Sequence, residues 1–202
     1  MIKYAFVKLG VPTTDQARFA FFSNVKFNVG GYAFSFNDWE NGILRGNRKA
    51  PYGLALPFSR MDPRRALVVQ KVDPRIHFSL NCGARSCPPV RVFSAKNLKQ
   101  ELEDVAVAFL EDDEVVAVSP QSNSIRLSKI FYWYLNDFVD RKSELPSYVE
   151  RFLIEPKRSI LRGMIDKKKT INVSFFDYDW SAANIENYQE VQRRRHLVFN
   201  RW

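Results

Sequence analysis

Cysteine and histidine are scarce in this chain, with two of each among 202 residues. Two cysteines cannot build a disulfide framework, so the fold must rest on a hydrophobic core, and the reading is a reduced, intracellular (cytoplasmic) protein. Long apolar runs are missing too. No stretch approaches the roughly 18 apolar residues of a membrane span. The opening segment from Met1 is too short for a signal peptide and is interrupted by Lys8. The absence of internal repeats, low-complexity tracts and Gly/Ser/Pro-rich linkers predicts one domain over 1–182, followed by a charged tail over 183–202. No zinc-finger spacing, RNP-like motif or glycine-rich phosphate loop is present. The net charge of +9 comes from scattered basic residues, densest at Lys167-Lys168-Lys169 and Arg193-Arg194-Arg195. A solvated basic surface is therefore expected rather than specific nucleic-acid binding. No cofactor is expected.

What the chain does have is apolar mass: 46% apolar and 14% aromatic residues, seventeen of them phenylalanine, enough for a sizeable core. Ile2 to Leu9 reads as a helix end closed by Gly10-Val11-Pro12. Phe27 to Phe34, with Gly30-Gly31 inside, reads as a strand with a bulge or hairpin corner. Ser35 and Asp38 have the spacing of a capping box for a short helix, Phe36 to Arg45, that Gly46 ends. Ala66–Val72 and Arg75–Cys82 read as strands. Ser94 is placed as the cap of a helix through Leu110 on which Leu98, Leu102, Val105, Ala106 and Phe109 share a face. Val115–Val118 and Ser124–Leu127 read as a hairpin. Ser128 then caps a helix over Lys129–Val139, and another short helix follows Pro146. Thr170 to Phe176 alternates as a half-buried strand. Strands and helices interleave without regular βαβ spacing, so the expected fold class is α+β: one mixed domain with a small β-sheet and several short helices.

The densest chemistry lies in D-P-R-I-H-F-S-L-N-C-G-A-R-S-C-P-P-V-R, Asp73 to Arg91, which holds His77, Cys82 and Cys87 within eleven residues. Strand alternation puts Arg75, His77, Ser79 and Asn81 on one face, with Ile76, Phe78, Leu80 and Cys82 on the other. Gly83-Ala84-Arg85-Ser86 makes a turn, and Pro88 stiffens the exit after Cys87. Arg85 stands nearest the sulfurs, with Arg75 and Arg91 further along. Four readings stay open. In a nucleophilic thiol, Cys87 or Cys82 would attack, His77 would be the base and Arg75 or Arg85 would stabilise charge. A zinc site would need a fourth ligand beyond His77, Cys82 and Cys87, such as His196 or a carboxylate. A reversible disulfide could close across the turn. Both cysteines could instead simply fill a core. Elsewhere, Glu40 is a further catalytic candidate, although Glu40 and Arg45 also read as structural polar groups on one short helix. Asp177 and Asp179 read as a solvated turn more than a cation site, Phe131-Tyr132-Trp133-Tyr134 as core packing, and His196 as exposed.

Several segments resemble the domain of unknown function 547 family. They are the Asp73–Arg91 block, N-V-G-G-Y-A-F-S-F-N-D-W-E-N-G-I-L-R-G-N from Asn28, L-S-K-I-F-Y-W-Y-L-N-D-F from Leu127, and F-F-D-Y-D-W ending at Trp180, so the resemblance runs from about Met1 to Trp180. It carries no settled function and implies an intracellular module that works beside other domains or a protein partner. Two departures bear on activity. Relatives carry a histidine after the glutamate that matches Glu40, where this chain has Asn41. They also begin with a longer aromatic-rich helix, so the chain reads as truncated or degenerate, with Lys3 where relatives often have histidine. An uncovered apolar surface near Phe6, Phe19, Phe21 and Phe22 would then favour self-association. The resulting expectation is a non-catalytic or degenerate interaction module. The alternative is a thiol-dependent hydrolase or transferase that uses Cys87 or Cys82 with His77.

Overall fold

Two glycines with positive φ, Gly30 at 59° and Gly31 at 84°, turn the chain between β1 (Lys26–Val29) and β2 (Tyr32–Ser35). A two-residue loop with both φ values positive is the turn whose twist matches an antiparallel pair, and Phe27 faces Phe34 across it. The expected corner is thus a hairpin. This computed structural model describes residues 2–51 and 53–181. Its contacts divide the chain into two units, Met1–Asp73 and Pro74–Trp202, each built around its own apolar cluster. The tail with Arg193-Arg194-Arg195 and His196 lies outside the described residues, as does the Lys3 side chain.

In the first unit, α1 (Ile2–Leu9) ends at Gly10, whose φ of 83° lets its N–H reach the Phe6 carbonyl at 2.9 Å. A helix with no counterpart in the sequence reading follows, α2 (Asp15–Asn24), capped by Thr14 Oγ1, which accepts from the Ala17 N–H. Phe21 is buried and stacks on Phe36, while Phe19 and Tyr4 stay exposed. The capping box forms as expected. Ser35 N–H donates to Asp38 Oδ2 (2.8 Å), and Asp38 N–H donates to Ser35 Oγ (3.0 Å). The helix it starts winds with π geometry over Asp38–Leu44: Arg45 N–H reaches back five residues to the Glu40 carbonyl. Phe58 packs against this helix at Gly42, where a Cβ would sit 2.6 Å from its fully buried ring. Asn47 holds the Phe58 backbone at both its N–H (2.9 Å) and its carbonyl (3.0 Å).

The strand expected over Ala66–Val72 is not there. Asp62 caps Arg64 N–H, Pro63 fixes the first position, and Pro63–Leu67 coils into a 3₁₀ turn; Val69 N–H then bonds a single carbonyl, that of Ile43. Apolar side chains at Ala66–Val69 mimic a strand, but the proline-led cap decides the backbone.

The second unit corrects the strand expected over Arg75–Cys82 in the same way. Pro74–Phe78 is a 3₁₀ helix, and the N–H groups of Ser79 and Leu80 both return to the Ile76 carbonyl. Alternation therefore fails: Ile76, His77 and Phe78 are all buried, and His77 is not on a polar face. Proline again starts the turn, and nothing pairs with the segment as a ladder.

Helix α3 (Leu98–Leu110) packs on this turn. Ser94 is not its cap. Its hydroxyl accepts from Asn97 N–H in a preceding turn and donates to Glu101 Oε1, so the helix starts four residues after it. The hairpin forms as β3 (Val116–Ser119) and β4 (Ser124–Leu127), and β5 (Asn172–Phe175) adds in parallel to β4. Asn123, at φ 46°, makes that junction. It donates to the Thr170 carbonyl, and its own carbonyl accepts from Asn172 N–H. The helix expected over Lys129–Val139 is broken at Tyr134 into α4 (Lys129–Trp133) and α5 (Leu135–Phe138). Pro146 lies in the first turn of α6 (Leu145–Glu150), as expected. An unanticipated helix, α7 (Lys157–Asp166), buries Leu161 and Met164. The core of this unit centres on Phe78, Phe109, Leu110, Leu127, Phe131 and Leu153. With two small sheets among mainly helical elements the fold is α+β, as the sequence predicts. No helix among the described residues is long and apolar enough to cross a membrane.

Candidate functional site

The turn after the 3₁₀ helix is closed by Asn81. Its Oδ1 accepts from Gly83 N–H (2.9 Å), and its Nδ2 donates to the Pro88 carbonyl (2.6 Å), so one amide spans the loop. Gly83 takes φ 85°, and Cys87 N–H returns to the Ala84 carbonyl at 3.1 Å, which is the expected turn. This geometry brings the sulfurs together. Cys87 Sγ accepts from the backbone N–H of Cys82 (3.0 Å). The Tyr178 hydroxyl touches both sulfurs, at 3.1 Å from Cys87 and 3.4 Å from Cys82. Cys87 is buried and Cys82 half-buried; both are free thiols.

The two thiols are electrostatically unequal. The hydrogen bond to Cys87, followed by burial, pushes the Cys82 thiol well above its ordinary range. Burial works against ionisation of Cys87 as well, but the Cys82 thiol, the Tyr178 hydroxyl and backbone N–H groups together outweigh it and pull Cys87 down. Burial and the neighbouring sulfurs raise the Tyr178 phenol well above its usual value, so it stays protonated.

Tyr178 is held from outside by aromatic rings, Trp133 at 4.7 Å and Trp180 at 4.6 Å between centroids. The backbone after it laces onto the Cys loop. Arg85 N–H donates to the Ser181 carbonyl (2.9 Å), Ser86 N–H to the Asp179 carbonyl (3.3 Å), and Asp179 N–H to Ser86 Oγ (2.9 Å). The Asp179 side chain bonds Ser181 N–H and lies 3.9 Å from Arg85 Nε; the first contact and then the arginine hold its carboxyl below the usual range.

His77 has a different neighbourhood. Its Nε2 lies 2.8 Å from Asp137 Oδ2, with both side chains 1% exposed. Its ring stacks on Tyr134 at 3.9 Å and tilts against Phe138. Tyr134, at the break between α4 and α5, and Asp137 in α5 meet the same ring. Among the described residues no group of three or more His, Cys, Asp or Glu side chains is placed to hold a metal ion, so the zinc reading has no ligand cluster there. Arg75 pairs with Glu103 (2.8 Å) and donates to the Lys99 carbonyl. Arg85 is half exposed beside Asp179. Glu40 belongs to the first unit, in the π-wound helix, where its carbonyl bonds Arg45. In that helix Asn41 is buried; its Oδ1 accepts from Arg45 Nη1 (2.5 Å) and its Nδ2 donates to Asn37.

Of the sequence candidates, the structure joins Cys82 and Cys87 and gives His77 a separate carboxylate partner. Sequence reasoning missed Tyr178, Asp137 and Asn81. Only Asn81 had a local signal, an Asn two residues before a Gly, which favours a side-chain-closed turn. No curated protein and no solved structure matches the chain. A family match covers residues 1–110, about half the chain rather than most of it, so the later segments at Leu127 and Phe175 lie beyond it. By that match the chain belongs to the family described as Protein of unknown function, DUF547.

Proposed function

We propose that this chain is a non-catalytic interaction module, working in a reducing compartment beside a protein partner or a neighbouring domain, and that its Cys-containing loop is a structural bracket. The observation that carries this reading is the burial of His77. A general base must reach the proton it removes. Here the imidazole is 1% exposed, with Tyr134 stacked on its face and Nε2 bonded to Asp137, so nothing in solvent reaches it. Asn41, where the resemblance expects histidine, spends its amide on Asn37 and Arg45. Large apolar side chains left in solvent on both units, Leu54 and Met61 on one and Val92 on the other, suit a protein that binds other proteins.

The second reading, a thiol-dependent hydrolase or transferase, keeps one observation in its favour: the depressed Cys87 thiol. Acyl trapping separates the two. With an activated ester such as p-nitrophenyl acetate, the chain should release no burst of nitrophenolate and gain no acetyl mass on Cys82 or Cys87. An acetylated cysteine whose formation is lost in His77→Gln would overturn the non-catalytic reading.

A further inference from the structure

The Cys loop and the Tyr178 segment meet at one spot, and everything at that spot converges on sulfur. The Cys82 N–H bonds the Cys87 sulfur, a phenol bonds both sulfurs, and three backbone or hydroxyl hydrogen bonds tie 179–181 to 85–86. Nothing in a bracket requires two thiols: one hydroxyl or amide would satisfy Tyr178. A turn that brings two cysteines, with four residues between them, onto one phenol also has the arrangement a dithiol–disulfide couple needs.

We propose that Cys82 and Cys87 form a redox couple that closes to an intramolecular disulfide by exchange with a low-molecular-weight disulfide, and that closure loosens the Tyr178–Ser181 segment from the Cys loop. The roles follow from exposure: Cys82 is half-buried and Cys87 is buried. Cys82 first gives its proton to solvent. The half-buried Cys82 thiolate then attacks one sulfur of the incoming disulfide and expels the first small thiolate, which takes up a proton. The Cys87 thiol loses its proton and attacks Cys82 Sγ, breaking the mixed disulfide and releasing the second small thiol. Two protein thiols and one small disulfide become one protein disulfide and two small thiols, with no other oxidant. The couple is independent of whether the chain carries out acyl chemistry.

Closure turns both sulfurs that the buried Tyr178 hydroxyl touches, at 3.1 and 3.4 Å, into disulfide sulfurs, which donate no hydrogen bond and accept only weakly. The hydroxyl then loses its strongest partner, and the Trp133–Tyr178–Trp180 stack loses the anchor that fixes its central ring.

The test uses the whole chain, kept free of oxygen at neutral pH, in graded ratios of glutathione disulfide to glutathione. Mass mapping should show a Cys82–Cys87 bond, with loss of two hydrogens and no retained glutathione. In the oxidised protein, amide exchange at Arg85, Ser86 and Asp179 should speed up by about tenfold, what the loss of one buried hydrogen bond amounts to. Tryptophan emission should shift with it. In Tyr178→Phe the disulfide should still form, without that change in emission. In Cys87→Ala a glutathione adduct should persist on Cys82. Should that variant fail to fold, the wild-type protein decides alone. Thiols that stay reduced, or separate adducts on both cysteines, would overturn the couple. A disulfide with unchanged exchange and emission would overturn the release.

Discussion

Both units bury polar side chains, and they satisfy them by opposite means. The first uses formal charge over separations of 2 to 26 residues, shorter than those in the second. Arg64 reaches Asp62 at 2.7 Å and Asp38 at 3.0 Å, with its guanidinium over the Phe58 ring at 4.4 Å, and Arg45 donates to Asn41 and to the Lys49 carbonyl. The second uses an imidazole–carboxylate pair and a thiol–phenol cluster whose members are 60, 91 and 96 residues apart. Short-range polar contacts cost little chain entropy and can form with the local turn. Long-range ones wait for the core, so they report on it. A disturbance of the first unit's cluster should stay modest and depend on pH, whereas one of the second unit's cluster should be large.

The largest expected effect follows from that contrast. His77→Ala strips the partner from a carboxylate with 1% exposure and should destabilise the chain by about 3–5 kcal/mol in urea denaturation. Unchanged or raised stability would mark the pair as one held for activity rather than for the fold, since functional groups are commonly kept at a cost to stability.

The two helix-interior glycines sharpen the comparison, because they should respond with opposite signs. Gly42→Ala drives a methyl to 2.6 Å from the Phe58 ring, which Asn47 prevents from backing away, and should cost about 1–3 kcal/mol. In α7 a Cβ on Gly163 meets nothing within 4 Å, so Gly163→Ala should stabilise by about 0.5–1 kcal/mol. Thermal denaturation of both variants reads the two signs, and a loss at Gly163 would mean that α7 is packed more tightly than it looks.

The smallest expected effect is the pH dependence of the first unit. The Arg64 hydrogen bond, opposed by burial, holds the Asp62 carboxyl below its ordinary 3.8. A carboxylate depressed in the folded state adds stability above its unfolded value and loses it as pH falls through the folded one. Urea midpoints taken downward from neutral pH should fall below pH 3.8 more steeply in the wild-type chain than in Asp62→Asn. Parallel curves would show that Asp62 contributes nothing beyond its cap.

What could be read from the sequence was what neighbours along the chain decide. The Ser35–Asp38 box, the Gly46 stop, the β3–β4 hairpin, the apolar face of α3 and the turn before Cys87 each rest on side chains within a few positions of the backbone they direct. Even local signals failed where two competed. An apolar run after Pro63 and an alternating one after Pro74 suggested strands, but a strand needs a partner edge, and a proline-led 3₁₀ turn satisfies its own N–H groups. Helix α2 escaped because its phenylalanines do not keep to one face, and the Lys129–Val139 helix was read as continuous because no glycine or proline marks its break at Tyr134. The crowding of His77, Cys82 and Cys87 was visible as composition, but which of them meet was not. Tertiary structure alone decided that the histidine goes to Asp137 and the sulfurs to Tyr178, because those partners arrive from 60 to 96 residues away and are chosen by how the core packs rather than by anything beside them in the chain.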